Sequence, residues 1–251
     1  VNDAEASATA AAGSASTATT QATAAAGSAT TAATHAANLG SVAYQDLTAI
    51  AESKAVSAVD VFVYDTSKDS DGGAWRHRTQ GTSWYNETLN TATRGSRKEF
   101  PAVAVIVAES NQVTIYDGDD PDLPMWMVFK TVHPIIGRTS AWSSVTSCSM
   151  LNGTLIFGNG SNSAECLLSV NFVSDNAYLY PLSGYSGYGG PYTLGIAQRA
   201  SSYNYDTSPT VLVGAPVFDC SMTVLPSAPI DSNTGLPVPT IAVATGGGLS
   251  V

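Results

Sequence analysis

Charge is scarce in this chain. Only 12% of its 251 residues are Asp, Glu, Lys or Arg, about half the usual share. Basic residues are the scarcer kind, ten against twenty acidic ones, and the formal net charge is −10. Phosphate-binding surfaces are built from Lys and Arg, so the balance argues against a nucleic-acid partner. Cysteine is rare as well: Cys148, Cys166 and Cys220 have no metal-ligand spacing. They read as buried free thiols, or as one disulfide with a thiol left over. No run of 18 apolar residues occurs, so no membrane insertion is expected. No charged n-region with an apolar h-region opens the chain, so no secretion signal is expected. The chain has no G-x-S-x-G elbow, P-loop or H-E-x-x-H. The sequence therefore assigns no catalytic residue, cofactor or metal.

Leu, Ile and Val are missing between Asn2 and Asn38, so this stretch cannot build a broad core by itself. What it holds instead is a repeat. ATAAAGSA runs from Ala8 to Ala15 and again from Ala22 to Ala29, an offset of 14 residues or two heptads. A seven-residue repeat keeps one seam of a helix facing a partner and winds left-handed around it. Thr, Ser and Gly cost up to about 1 kcal/mol each relative to Ala in a helix, so a single copy is weak. A flexible Ser/Thr/Ala linker and a fibrous β repeat are the alternatives, but a linker needs no phase. Residues 1–40 are expected to form a helical coiled-coil shaft that requires copies of itself. Gly40 ends it as a C-cap candidate.

Residues 41–64 then read as a collar. Val42, Leu47, Ile50, Ala51 and Val56 fall near helical spacing, which suggests a short helix from Tyr44 to Ser57. Val59 to Tyr64 (VDVFVY) is a strand by its β-branched and aromatic content. From residue 101 to 251 the pattern is of β-hairpins. Pro101–Glu109 and Gln112–Gly118 make one, and Met125–Lys130 adds a strand. Val145–Gly160 makes another around Asn152-Gly153, a strong hairpin turn. Strands follow at Leu167–Val173 and Ala177–Leu182, and a last hairpin at Pro239–Val251. The first two hairpins start about 45 residues apart, and the last starts about twice that distance further on. A degenerate copy would fall at Tyr192–Arg199. The period predicts propeller-like blades, with an antiparallel sandwich as the alternative. The chain opens on Val rather than Met and the last hairpin stops at Val251. The β region thus reads as incomplete, continued by further sequence or completed by other copies.

Residues 65–100 break the pattern. They are polar and carry half or more of the chain's basic residues. A connection of this length is usually functional or an assembly contact. Trp75, Arg76, His77, Arg78, Trp84, Tyr85, Arg94, Arg97 and Lys98 are its candidate receptor or assembly residues. Cations beside aromatics suit cation–π contacts and the recognition of sugar, phosphate or carboxylate. Salt bridges to acidic neighbours would use the same residues. A calcium loop over Ser67, Asp69, Asp71 and Gly72 fails, because Arg78 stands where a bidentate Glu is needed. Glu87 and Glu99 could supply carboxylates for sugar cleavage beside Trp84 and Tyr85. The Tyr, Gly, Ser and Pro alternation from Tyr178 to Tyr192 suits an adhesive loop, or one that packs its rings on the sheet. Asn86-Glu87-Thr88 and Asn152-Gly153-Thr154 match glycosylation sequons and are taken as chance.

The order of parts, from small-residue shaft through collar to a Gly/Asn/Tyr-rich β region, resembles tail fibres and related appendages of tailed bacteriophages. The phrase GGAWRHRTQGTSWYNETLNTATRGSRKEFPAVAVIVAE, from Gly72 to Glu109, is similar to a segment of fibre-like structural proteins from phages of marine bacteria. In those proteins propeller-like β repeats follow it. The phrase covers under a fifth of the chain. The resemblance implies a virion structural role in the tail and a homotrimer. Its partners would be other tail proteins and a host surface glycan or protein. A tailspike-like polysaccharide depolymerase and a non-viral trimeric adhesin are the alternatives.

Overall fold

A computed structural model describes residues 13–23, 58–130, 145–160, 165–182, 195–199, 206–207 and 210–251. The chain divides into two compact units, Val1–Asp46 and Leu47–Val251. In the first, residues 13–23 are α-helical and all exposed. Four threonines turn their hydroxyls back onto the helix. Thr17 donates to the Gly13 carbonyl, Thr19 to Ala15, Thr20 to Ser16 and Thr23 to Thr19, at 2.9–3.0 Å. The hydroxyls are satisfied inside the helix, although such back-bonding slightly destabilises and bends helices rather than strengthening them. The expected Tyr44–Ser57 collar helix lies outside the described residues. Among the described residues no helix is long and apolar enough to cross a membrane.

The second unit is mainly β. Its first sheet is a meander of β1 (Ala58–Asp65), β2 (Val103–Glu109), β3 (Gln112–Asp117) and β4 (Met125–Lys130), paired in that order and antiparallel. The second has β5 (Val145–Leu151), β6 (Thr154–Asn159), β7 (Glu165–Asn171), β8 (Asn176–Pro181) and the two-residue β9 (Asp206–Thr207). It is antiparallel except for the β8–β9 pair. The third holds β10 (Val217–Thr223), β11 (Thr240–Thr245) and β12 (Gly248–Ser250). Turn chemistry sets the registers. Asn152 and Gly153 both take positive φ, 50° and 71°, the geometry of a tight hairpin whose twist matches its strands.

The three sheets stack in layers. One core joins Ile106, Ile115 and Phe129 of the first sheet to Met150, Leu155, Phe157, Leu168 and Val170 of the second. A smaller core joins Ile156, Cys166 and Leu167, from the other side of the second sheet, to Val217, Cys220 and Val243 of the third. The middle sheet is covered twice, so β6 is buried along its whole length. Gly158 permits the close approach, since a Cβ there would stand 2.4 Å from Val217 Cγ1. Polar ties cross the layers. Asp60 on β1 accepts from the Cys148 N–H at 2.8 Å, and Thr146 donates to the Val217 carbonyl at 2.9 Å.

This arrangement corrects the propeller expectation. Among the described residues the sheets form neither propeller nor closed barrel; the middle one is sandwiched. Similar hairpins recur because turn residues and alternating apolar residues are local signals, and stacked layers satisfy them as well as blades do. Of the degenerate copy at Tyr192–Arg199, residues 192–194 lie outside the described residues, and residues 195–199 hold a 3₁₀ turn, Ile196–Gln198.

The segment 65–100 is no free-standing insertion. Trp75, Trp84 and Phe100 have no exposed surface and close one end of the larger core. The Trp84 and Phe100 rings meet Trp126 and Phe172 edge to face at centroid distances of 4.8–5.7 Å, and Trp75 packs on Phe100 at 5.2 Å. Such pairs contribute roughly 0.5–1.5 kcal/mol each beyond area burial.

All three cysteines are buried and free. Burial pushes the Cys148 thiol well up and the Cys220 thiol up to about 12. The thiolate is the reactive form, so the folded chain should resist maleimide at mildly alkaline pH while the chain in guanidinium takes three labels. Rapid labelling of the native protein, read by mass spectrometry, would contradict this packing.

Candidate functional site

The nine residues singled out in the sequence separate into buried and exposed sets. Trp75 donates through Nε1 to Asp69 Oδ2 at 2.7 Å. Asp69 also accepts the Tyr64 hydroxyl in a short bond and the Asn152 N–H at 2.8 Å. Burial raises the Asp69 carboxyl, and its donors draw it back; burial first, then Asp69 itself, pushes the Tyr64 phenol far up. Trp84 donates through Nε1 to the Phe172 carbonyl at 2.9 Å. Both indoles are structural.

Arg94 is fully buried. Its guanidinium stacks 4.3 Å over Trp126 and donates to the carbonyls of Trp126 and Lys98 at 2.9 and 2.8 Å. Its Nε lies 2.8 Å from Glu87 Oε1. The N–H is not aligned for a hydrogen bond there, so this contact is chiefly Coulombic. The other Glu87 oxygen meets Arg199 at 2.7 Å. Arg199 further donates to the carbonyls of Val128 and Thr93. One carboxylate thus sits between two buried guanidiniums. Burial lowers Arg94 to about 10, partly countered by Glu87, which leaves it charged at neutral pH.

Trp75, Trp84 and Arg94 therefore present nothing to a receptor, which corrects their assignment as contact residues. The sequence shows cations and aromatics side by side but not which way they point. Arg97 is half-buried and holds Asp117 and Asp119 at 2.7–2.9 Å. Asp119 is also bound by the N–H groups of Ala102 and Val103, so this acidic loop is internally satisfied. Arg76 is half-buried and donates to the Phe100 carbonyl at 3.1 Å. The exposed members are His77, Arg78 and Lys98, with Tyr85 half-buried. Arg78 pairs with Asp71 at 2.8 Å. Tyr85 donates to Glu99 at 3.0 Å and lies 5.5 Å from the Lys98 ammonium. The structure joins Tyr85 and Lys98, but scatters the nine as a set.

A different site is assembled on the outer side of the middle sheet. Register places Thr154, Asn171 and Asn176 in one row across β6, β7 and β8, and Ile156, Ser169 and Tyr178 in the next. The following row, Gly158, Leu167 and Tyr180, runs under the third sheet. The face is thus apolar where the third sheet covers it and polar where it does not. Over the polar end, a loop around Asp231–Pro239 forms a wall, with Met222 and Ile241 beside it. The result is a groove of about 290 Å³, at the small end of ligand pockets, which run about 300–1,000 Å³.

The wall is rigid. Gly235 donates to the Asp231 carbonyl at 2.7 Å, Asp231 to Leu236 at 2.9 Å and Val238 to Pro229 at 2.8 Å. Asn152 fastens it to the rest. Its Nδ2 donates to the Pro237 carbonyl and Ser70 Oγ, while its Oδ1 accepts the Ser70 N–H, at 2.9–3.0 Å. With that amide engaged and 2% exposed, the Asn152 sequon is unavailable to a glycosylating enzyme. On the floor, Asn171 Oδ1 accepts from the N–H groups of Val173 and Ser174, and its Nδ2 donates to Thr154 Oγ1, at 2.8–2.9 Å. Tyr178 is 37% exposed. Burial, then the neighbouring Tyr178, raises the Tyr180 phenol. Among the described residues no Lys, Arg or His lines the groove, and Asp231 is the one carboxylate.

Sequence reasoning missed this site. The signals were Ser169 and Asn171 alternating with Leu168 and Val170, and Tyr178 and Tyr180 two apart on a strand. Tyr178 belongs to β8 rather than to an adhesive loop, and residues 183–192 of that stretch lie outside the described residues. No protein-family model, curated protein or solved structure matches the chain.

Two substitutions separate the buried cluster from the exposed pairs. Glu87→Gln strips two buried guanidiniums of their counter-charge and should cost about 3–5 kcal/mol in denaturant unfolding. Arg78→Ala breaks a surface pair and should cost about 1 kcal/mol or less. A Glu87→Gln protein as stable as wild type would show the cluster to be inert.

Proposed function

We propose that this chain is a virion structural protein of a tailed bacteriophage. It is a tail fibre whose N-terminal shaft gathers copies into a homotrimer. The β unit is then a platform for tail assembly or host attachment. The observation that carries this reading is the helix over residues 13–23. Every residue in it is exposed, and an isolated helix of fewer than about 12–15 residues is marginal in water. With its threonine hydroxyls bonded back to the backbone, the helix offers mainly methyl groups to its surroundings. Such a surface gains by packing against copies of itself, and the 14-residue phase of ATAAAGSA supports a left-handed coiled coil.

The stacked sheets support the platform role. Two shared cores and the buried Arg94–Glu87–Arg199 cluster favour a stiff body. The polysaccharide-cleaving alternative drew on Glu87 or Glu99. Glu87 is committed to two arginines, so that alternative has lost one of its two groups.

The purified chain should sediment as a trimer, and its helical far-ultraviolet signal should rise with concentration by mass action. Deleting residues 1–40 should yield smaller species that keep the thermal transition of the β unit. A full chain that stays monomeric at every concentration defeats the proposal.

A further inference from the structure

We propose that the groove on the middle sheet binds a neutral saccharide of roughly one or two sugar rings. The inference deepens the host-attachment reading, on which the choice of a cell-surface source rests; the chemistry of the groove stands apart from it. The first argument is patterning. Strands β6, β7 and β8 carry Ile156 and Leu167 where the third sheet covers them and Thr154, Asn171 and Asn176 where it does not. A surface awaiting a protein core would continue the apolar rows. This one changes to amides and hydroxyls at the groove.

Charge narrows the ligand. Among the described residues the lining has no cation and one carboxylate, in a chain of net charge −10. Phosphorylated, sulfated and carboxylated ligands would meet repulsion with no compensating partner. Sugar hydroxyls both donate and accept, and so does each side chain of the polar row. The row is held in place beforehand. Asn171 is fixed by three bonds, so Thr154 Oγ1 accepts from it and has its own proton to donate. Asn176 accepts from Ser174 at 2.9 Å, while its Nδ2 has a long 3.5 Å contact with the Tyr178 hydroxyl. That amide can exchange the weak contact for a sugar oxygen. Fixed polar groups lose little entropy on binding.

The apolar side of a sugar ring also has a partner. Tyr178 is 37% exposed and shares a face with Tyr180, two residues on. The opposite wall brings Val238 and Ile241. An aromatic ring on one side, aliphatic groups on the other and amides below suit a pyranose, whose C–H and O–H groups lie on different sides of the ring.

The test is saturation-transfer NMR on the full chain with methyl glycosides of neutral hexoses and N-acetylhexosamines, and with their disaccharides. Glucuronic and sialic acids serve as charged counterparts. At least one neutral glycoside should receive transfer and the acids none. Tyr178→Ala should weaken that binding about tenfold or more, with the thermal midpoint unchanged because the side chain is exposed. Asn176→Leu should likewise weaken binding, by removing the Nδ2 group whose contact with Tyr178 is long. Transfer to no neutral glycoside would overturn the proposal, as would equal transfer to the acids, undiminished binding in both variants, or binding of a neutral polar peptide alone. Trimer formation is read separately by sedimentation, so a saccharide failure leaves the fibre reading standing, and a monomeric chain that binds sugar leaves the groove standing.

Discussion

One buried carboxylate holds the first two sheets in register with each other. Asp69 follows β1 and takes bonds from Tyr64 on β1, Trp75 on the next 3₁₀ turn and the N–H of Asn152 at the β5–β6 hairpin. The Tyr64 hydroxyl in turn accepts from the Gly153 N–H at 3.0 Å. Removing that carboxylate would orphan a phenol, an indole and a backbone N–H in one place, and each such group costs about 1–3 kcal/mol when left unsatisfied. The groove depends on the same point. Asn152 carries the Asp231–Pro239 wall through the Pro237 carbonyl, so the wall stands where Asp69 sets the hairpin.

Glu87 plays the matching part at the other end of the aromatic cluster. It ties the irregular 84–100 segment to Arg199, and both arginines use their remaining N–H groups on carbonyls around β4. A guanidinium has five donors in a fixed fork, which lets one side chain satisfy several loop carbonyls that no strand can reach. Within this stretch, which makes almost no ladder of its own, Arg76 and Arg94 serve in this way. These two side chains substitute for missing backbone pairing.

The strands were legible because their signals are local. Val59–Tyr64, Met125–Lys130 and the Asn152-Gly153 hairpin declare themselves through β-branched residues, alternation and turn chemistry, and the structure places them within a residue or two. β10 was missed because Val217–Thr223 (VFDCSMT) mixes exposed Phe218 and Asp219 with buried Cys220, and a bulge near Asp219 breaks its register. The order of layers was not legible, since hairpins of one shape serve a propeller or a stack equally. The 65–100 segment misled for a related reason. Trp75, Trp84 and Arg94 look like surface chemistry in a polar sequence. Asp69 and Glu87 lie only six and seven residues from Trp75 and Arg94, but the groups that bury them, Phe172 and Trp126 among them, come from far along the chain. The groove is a property of three strands and a wall far along the chain, so no single window of sequence contains it.

Asn152-Gly153 also bears on how the molecule ages. Asparagine before glycine is chemically the most fragile dipeptide, because the glycine nitrogen can attack the side-chain amide and close a succinimide. Here that nitrogen is bound to the Tyr64 hydroxyl, and the amide is held by Ser70 and Pro237. The ring cannot close while the hairpin keeps these bonds. Deamidation at Asn152 thus becomes a record of time spent open, and the aspartate it leaves would bring a second charge into the spot where Asp69 already needs every donor it has.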